Sequence, residues 1–271
     1  MPELPEVETT RRGLEPHVQG RTVDAVQVWQ PRLRWDVPDN LHGTLKGERF
    51  IAVERRAKYL LLRTARGTLI VHLGMSGSLR LGPNSVPHHL HDRVGWTLND
   101  GQAMRLRDPR RFGAVLWTNG PIEEHWLLRK LGPEPLEGEF TAQHLYERSR
   151  GRRVAIKAFL MDSHVVAGVG NIYACEALHA AGIHPTRAAG NISLSRYATL
   201  VEHVRDILGA AIRSGGTTLR DYVSIGGETG DFRFKLSVYG REGEPCHSCA
   251  APLKGKVITG RSTVYCATCQ R

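Results

Sequence analysis

The chain has 271 residues, with 37 Lys and Arg against 27 Asp and Glu and a formal net charge of +10. This length allows more than one domain, and the positive excess favours a polyanionic partner, with nucleic acid ahead of an acidic membrane surface. No apolar run approaches the ~20 residues of a spanning helix, and no charged-then-apolar signal sequence opens the chain, so a cytosolic protein is expected.

The first part of the chain is predicted to be a β-rich domain behind a single helix. The helix is expected over 3–19. Alternating or apolar-rich patterns then predict strands over 23–29, 49–63, 68–73, 78–81, 94–98, 103–106 and 114–117. We expect residues 1–131 to form a sandwich or flattened barrel.

After a linker rich in Pro and Gly at 131–136, the pattern becomes helical. Helices are predicted over 141–150, 153–161, 171–181 and 194–212. A Gly-rich stretch from 214 to 230 follows, and its length suits a functional loop better than a tight turn. We expect a helical domain at 136–230 and a separate cysteine module at 236–271.

Four of the five cysteines form two C-x2-C pairs with sixteen residues between them: Cys246, Cys249, Cys266 and Cys269. This spacing predicts one structural Zn²⁺ with four sulfur ligands on a small β-hairpin. A thioredoxin-like redox role is the alternative, but it leaves the second pair unexplained. Because four thiolates close the shell, the metal is expected to hold the hairpin and not to activate water. Arg261 is a candidate phosphate contact or a solvated turn residue.

Pro2 and Glu3 allow two interpretations. They can simply begin a helix, since proline and carboxylates are favoured in the first turn. If Met1 is removed, however, Pro2 carries a secondary amine with a pKa near ~8, which is partly neutral at pH 7. Such an amine beside a carboxyl group is a candidate nucleophile.

Three further segments carry candidate DNA contacts. Lys58 lies in an apolar strand and either reaches a cleft or extends to solvent. The loops HLGMSG (72–77) and DPRRFG (108–113) offer an apolar and a cationic-aromatic wedge, of the kind that fills the gap left by an extracted base. The run HHLH at 88–91 lacks the partners of a metal site, so phosphate contact or plain exposure is expected.

The stretch GVGNIY at 168–173 imitates a dinucleotide fingerprint, but its third glycine is missing and no strand precedes it. We therefore exclude a Rossmann site. The alternative is a turn that brings Asn171 and backbone amides to a helix N-terminus, which suits a phosphate. Cys175, on the same helix, is expected to be a buried small apolar residue.

Together these segments closely resemble the bacterial formamidopyrimidine-DNA glycosylase family, whose members repair oxidised purines. The resemblance covers nearly the whole chain and rests on MPELPEVE (1–8), RAKYL (56–60), HLGMSG (72–77), DPRRFG (108–113), GVGNIYA (168–174) and the zinc hairpin with GRST (260–263). It implies a multidomain α+β fold: an N-terminal helix and β-sandwich domain, then a C-terminal helical domain with a helix-two-turn-helix motif at 154–181 and a zinc β-hairpin with four cysteine ligands. It also implies a DNA cleft between the domains.

The resemblance implies a Schiff-base mechanism. Pro2 would attack C1′ of the damaged nucleotide, and Glu3 would be the general acid that supports base loss and opening of the sugar. The cationic Schiff base would acidify the C2′ proton, so that β- and then δ-elimination cut the strand. Lys58 and Arg261 match positions for proton donation or phosphate contact, and Glu6 matches a supporting carboxylate.

Further roles are implied for residues that touch DNA. Met75, Arg110 and Phe112 match the void-filling side chains, with Arg110 also facing the orphaned cytosine. The residues that match backbone-phosphate contacts are His91, Arg152, Lys157 and Asn171. Segment 217–232 resembles the loop that closes over flipped 8-oxoguanine, but DFRFK at 231–235 departs from the usual pattern, which leaves the lesion-capping contacts open.

Two rivals remain at this point. Endonuclease VIII shares the Pro-Glu start and the zinc hairpin but prefers oxidised pyrimidines; Leu4 in place of glycine, with Met75, Arg110 and Phe112 present, favours the purine enzyme. The other rival is a non-catalytic zinc-bearing DNA-binding protein, in which Pro2 and Glu3 only begin a helix. The partner expected is double-stranded DNA with oxidised bases, bound by a monomer in the bacterial cytoplasm without a nucleotide cofactor.

Overall fold

The computed structural model describes residues 2–216 and 236–271. These residues form two compact units. The first contains the described residues up to Arg129 together with 214–216, and the second contains Lys130–Arg213 together with 236–271.

The first unit opens with helix α1, Leu4–Val18. A reciprocal capping box starts the helix: Glu6 accepts the backbone N–H of Glu3 at 2.9 Å, and the Glu3 side chain accepts the N–H of Glu6. The apolar face of α1 is buried, and Glu8 also fixes the helix to the sheet through an ion pair with Arg55 at 3.1 Å. The first helical turn is thus held firmly in place.

Eight strands of the first unit form two antiparallel sheets of four. The strands are β1 (Val23–Val28), β2 (Ala52–Arg56), β3 (Tyr59–Arg63), β4 (Thr68–His72), β5 (Ser78–Pro83), β6 (Asp92–Leu98), β7 (Gln102–Arg107) and β8 (Ala114–Thr118). Their orders are β1-β6-β7-β5 and β2-β3-β4-β8. A short helix α2, Leu41–Leu45, precedes β2. One apolar core joins α1 to both sheets, with Val7, Leu14, Leu60, Val71, Val94, Trp96 and Leu106 among its members.

The prediction of one strand over 49–63 is wrong. The chain folds back as an antiparallel hairpin, in which Arg56 pairs with Tyr59 across the two-residue loop Ala57-Lys58. Ala57 adopts a left-handed conformation with φ 53°, which is unusual for a residue other than glycine. Lys58 therefore lies at the tip of a turn, half-buried, and not inside a strand.

The second unit contains helices α3 (Ala142–Ser149), α4 (Ile156–Leu160), α5 (Asn171–Ala180) and α6 (Leu194–Arg213), and a hairpin of β9 (Lys254–Ile258) and β10 (Arg261–Tyr265). Helix α4 is shorter than the predicted 153–161, and α5 begins at Asn171 as expected. The long helix α6 packs against α3 and α5. No helix among the described residues is long and apolar enough to cross a membrane. The predicted fold class is confirmed.

Candidate active site and nucleic-acid interface

The start of α1 gathers the residues predicted for catalysis in the first unit. Pro2, Glu3 and Glu6 are all buried, the two carboxylates being 2% and 1% exposed. Gly216 passes so close to Glu6 that an added Cβ would lie 3.0 Å from a carboxylate oxygen, and its φ of +82° also suits glycine alone. Glu6 therefore contacts both the backbone N–H of Glu3 and Gly216, which lies near the start of the Gly-rich stretch 214–230.

A cationic cluster lies near the turn of Lys58. Burial and the positive charges of Lys58 and Arg34 lower the pKa of His72 to about 3, so this side chain is neutral at pH 7. The His72 Nδ1 accepts the backbone N–H of Gly74 at 3.0 Å, and its ring packs 4.9 Å from that of Tyr59. The sequence motif included His72, but neither it nor Arg34 was predicted to belong to a site. Two cations beside a neutral ring suit a phosphate.

The structure brings the two predicted wedge loops into contact. A Cβ on Gly74 would lie 2.4 Å from the backbone of Phe112 and of Gly113, so the loops are packed backbone to backbone. Phe112 is 44% exposed, and the Arg110 guanidinium lies 5.1 Å from the centre of its ring. Met75, on the facing loop, is half-buried. The three side chains predicted to fill the void thus lie on adjoining loops of one unit.

Asp108 holds these two loops together, and sequence reasoning missed it. Its carboxylate is 0% exposed. One oxygen accepts the Ser76 hydroxyl at 3.2 Å and the Arg110 N–H at 3.2 Å, while the other accepts the Gly113 N–H at 2.7 Å. The only sequence signal was an Asp before a Pro, which favours a turn and says nothing of the second loop.

We expect Asp108→Asn to loosen both loops. An amide must turn its NH2 group toward one of these N–H or O–H donors, which leaves a buried donor unmet at a cost of about 1–3 kcal/mol. The urea midpoint should fall. The cleavage of lesion-bearing duplex that the family resemblance implies should slow by about tenfold or more, because the predicted wedge side chains would be misplaced. The exposed Asp39→Asn is the matched control; equal behaviour of the two variants would contradict this role.

The zinc hairpin of the second unit presents Arg261. The tip residues Thr259 and Gly260 have positive φ, and Arg261 follows them, exposed, at the start of β10. Beneath it, Lys157 is 1% exposed and donates to Thr263 Oγ1 at 2.6 Å and to Ser262 O at 3.1 Å. The predicted phosphate contact of Lys157 stays a prediction, and the structure gives this lysine a bond to the hairpin.

The remaining predicted phosphate contacts differ in their surroundings. Asn171 also bonds the hairpin, its Nδ2 donating to Ser262 O at 2.9 Å. Arg152 is exposed and lines a recess of about 560 Å³ together with Arg153 and Gly190. His91 lies on a loop of the first unit, 3.3 Å from the Arg93 guanidinium. The predicted lesion-capping loop, 217–232, lies outside the described residues.

The four zinc-finger cysteines converge as predicted. The sulfur atoms of Cys246, Cys249, Cys266 and Cys269 all lie within 4.8 Å of one another. This compact set of four sulfurs fits one tetrahedral Zn²⁺ with no open position.

A bound cation would also stabilise the ionised form of these four thiols. Burial raises the pKa values of Cys246 and Cys266, but nearby backbone N–H groups outweigh it and lower both to about 7. Hydrogen bonds with the Cys249 and Cys266 side chains raise the pKa of Cys269 to about 12. Neighbouring thiolates thus oppose one another's ionisation, and a divalent ion removes that conflict.

Fold and site together define a protein with a β-sandwich unit and a helical unit that carries a four-cysteine site for one structural Zn²⁺. Three family models match the chain: the formamidopyrimidine-DNA glycosylase N-terminal domain over residues 1–115, the formamidopyrimidine-DNA glycosylase H2TH domain over 131–223, and a zinc finger found in FPG and IleRS over 243–271. The chain belongs to the formamidopyrimidine-DNA glycosylase family.

Individual relatives agree with this assignment. The chain is 58% identical to the formamidopyrimidine-DNA glycosylase of Syntrophotalea carbinolica over 271 residues, covering 100% of both chains. It matches Lactococcus lactis Fpg in complex with DNA containing an abasic site, at 33% identity, a TM-score of 0.93 and 100% coverage of both chains. It also matches MutM bound to DNA with carbocyclic 8-oxo-G, at 34% identity, a TM-score of 0.92 and 100% coverage of both chains.

Proposed function

We propose that this protein is a DNA glycosylase and abasic-site lyase that removes oxidised purines, 8-oxoguanine and formamidopyrimidines among them, from duplex DNA in base excision repair. The observation that carries the proposal is the Pro2-Glu3 pair, buried and fixed at the start of α1, in a chain of this family. Relatives bound to DNA with an abasic site or with carbocyclic 8-oxo-G support the substrate class.

The chemistry begins once Met1 is removed and the Pro2 nitrogen is a free secondary amine. The amine attacks C1′, the N-glycosidic bond breaks, and Glu3 donates the proton that ring opening requires. The product is a cationic Schiff base between Pro2 and the sugar. Loss of the C2′ proton then releases the 3′ phosphate by β-elimination, and δ-elimination releases the 5′ phosphate. Water finally hydrolyses the Schiff base, which frees the Pro2 amine and releases the sugar remnant as an aldehyde. Glu6 keeps the backbone beside Pro2 in place.

Residues of both units contact the DNA in this proposal. Lys58 and Arg261 bind phosphates or donate protons near the reacting sugar, and His91, Arg152, Lys157 and Asn171 bind the backbone. Their cations and N–H donors give an affinity that depends on salt. Met75, Arg110 and Phe112 fill the gap left by the flipped nucleotide, and Arg110 faces the orphaned cytosine. The close packing of the two wedge loops at Gly74 supports the proposal that these three side chains fill one gap together.

One structural Zn²⁺ bound by four thiolates supplies folding energy to the hairpin that carries Arg261, and no reaction step depends on it. We infer that the protein works as a monomer in the bacterial cytoplasm, associated with the nucleoid through DNA. We propose three domains. Residues 1–131 form the catalytic domain, residues 136–230 form the helical domain that docks on DNA, and residues 236–271 form the zinc finger hairpin. The lesion-capping role is proposed for 217–232, outside the described residues.

A comparison of two substrates tests the purine specificity. We expect duplex with 8-oxoguanine opposite cytosine to be cleaved at least about tenfold faster than thymine-glycol duplex, a difference of about 1.4 kcal/mol in transition-state binding. Strand cleavage on gels measures both rates. Faster cleavage of thymine glycol would favour an endonuclease VIII-type activity.

Borohydride added during the reaction tests the class of protein. It should reduce the Schiff base and leave a covalent adduct whose mass shows the sugar on Pro2. Tight binding of 8-oxoguanine duplex with neither adduct nor cleavage would mark a non-catalytic DNA-binding protein.

A further inference from the structure

A histidine lies against the zinc cysteines. His179 occupies the last turn of α5, and its Nε2 is 3.6 Å from Sγ of Cys246. The ring is half-buried, and Cys246 is 3% exposed. Because four cysteines already complete a tetrahedral shell, this histidine is not needed as a ligand.

The position of His179 follows from the way α5 supports the hairpin. Asn171, Cys175 and His179 are spaced by four residues and therefore share one face of the helix. Asn171 bonds Ser262 O at the start of that face. Cys175, one turn before His179, packs in the apolar cluster that contains Cys246 and Cys266. Because Asn171 and Cys175 hold this face of α5 against the cysteine hairpin, the position of His179 on the same face is fixed as well.

The direction of the bond follows from the chemistry of the sulfur. A metal-bound thiolate carries no proton and can only accept, so the His179 ring must donate through Nε2–H. Four thiolates and one Zn²⁺ leave a net charge of about −2, and each N–H donor draws electron density from a sulfur. The backbone already supplies such a donor at a second cysteine, where Cys269 N–H points to Cys266 Sγ at 3.5 Å.

We propose that His179 is an outer-sphere partner of the structural zinc. It donates to the Cys246 thiolate, makes that sulfur less reactive toward protons and electrophiles, and slows loss of the metal. It is a positioning residue and not a ligand. Outer-sphere partners of this kind are typically worth about 10–100-fold in metal affinity.

The test compares two side chains of similar length in the zinc-loaded, full-length protein. His179→Gln keeps an N–H donor, whereas His179→Met keeps the bulk without a donor. Zinc release is followed with an excess of a chromophoric chelator. We expect release about tenfold faster from the Met variant and within about threefold of wild type from the Gln variant. His203→Phe, on α6, is the control and should release zinc at the wild-type rate.

The proposal fails if the Gln and Met variants release zinc at the same rate, whether or not that rate equals the wild-type rate, because the N–H donor then makes no difference. Zinc-edge X-ray absorption of the unmodified protein is a second test that does not depend on how the variants fold. Four sulfur neighbours are expected. A shell of three sulfurs and one nitrogen would make His179 a ligand and overturn its outer-sphere role.

Discussion

Replacing Pro2 by glycine is expected to reduce excision of 8-oxoguanine by about 100-fold or more. The glycine variant still presents an amine at the same place, but a primary one. Its imine can lose the N–H proton and become neutral, whereas the iminium formed by a secondary amine has no such proton and stays cationic. This cation is the electron sink for C2′ deprotonation, so elimination should slow. A primary amine is also a weaker nucleophile at C1′ than the secondary amine of proline, so base excision should slow as well. Single-turnover cleavage and the yield of the borohydride adduct measure the effect.

Pro5→Ala is the matched control for this variant. Pro5 lies in the first turn of the same helix, and alanine preserves the helix there. Its cleavage rate should stay close to that of the wild-type protein. If Pro2→Gly formed the adduct at the wild-type rate, the reaction would not need a secondary amine. If peptide mass mapping then placed the sugar on Lys58, that residue and not the N-terminal amine would be the nucleophile.

Removal of zinc is expected to unfold the cysteine hairpin and weaken DNA binding by at least about tenfold at moderate salt. Leu253, Val264 and Cys266 form a core too small to fold well without its metal. Loss of the hairpin also removes Arg261, the proposed phosphate contact, and leaves Lys157 without its acceptors on Ser262 and Thr263. The dependence of affinity on salt should therefore become less steep. Titrations of chelated and zinc-restored protein with labelled duplex measure both effects.

The fifth cysteine provides a matched control. Cys175→Ser changes a buried thiol outside the ligand set and should retain one zinc per chain by elemental analysis. Cys266→Ser, inside the set, should lose the metal and reproduce the effect of the chelator. Full affinity and an unchanged salt dependence in metal-free protein would show that DNA binding does not need the folded hairpin.

Short-range features of the site were predictable from the sequence. The helix that begins after Pro2-Glu3, the C-x2-C pairs and the helix start at Asn171 each depend on residues a few positions apart. The hairpin at 57–58 escaped prediction because neither Ala57 nor Lys58 is a residue that usually signals a tight turn, and Ala57 takes a positive φ that glycine or asparagine normally supplies.

Long-range contacts were not predictable in the same way. The bond from Ser76 to Asp108 spans 32 positions, and that from Lys157 to Thr263 spans 106. No local pattern encodes these pairs, because they exist only once the sheets and the hairpin have formed. For Lys157 the result matters most, since a lysine that the family resemblance predicts to contact phosphate is almost fully buried.

The tie between the wedge loops also limits how this enzyme can evolve. Since Asp108 bonds both loops and Gly74 leaves no gap between them, an insertion or deletion in either loop breaks the register of the other. We expect length changes among descendants of this gene to avoid both loops. The proposed void-filling side chains at 75, 110 and 112 can still be substituted. The preference for the base opposite the lesion, which we propose that Arg110 reads, can therefore change while the backbone of both loops stays the same.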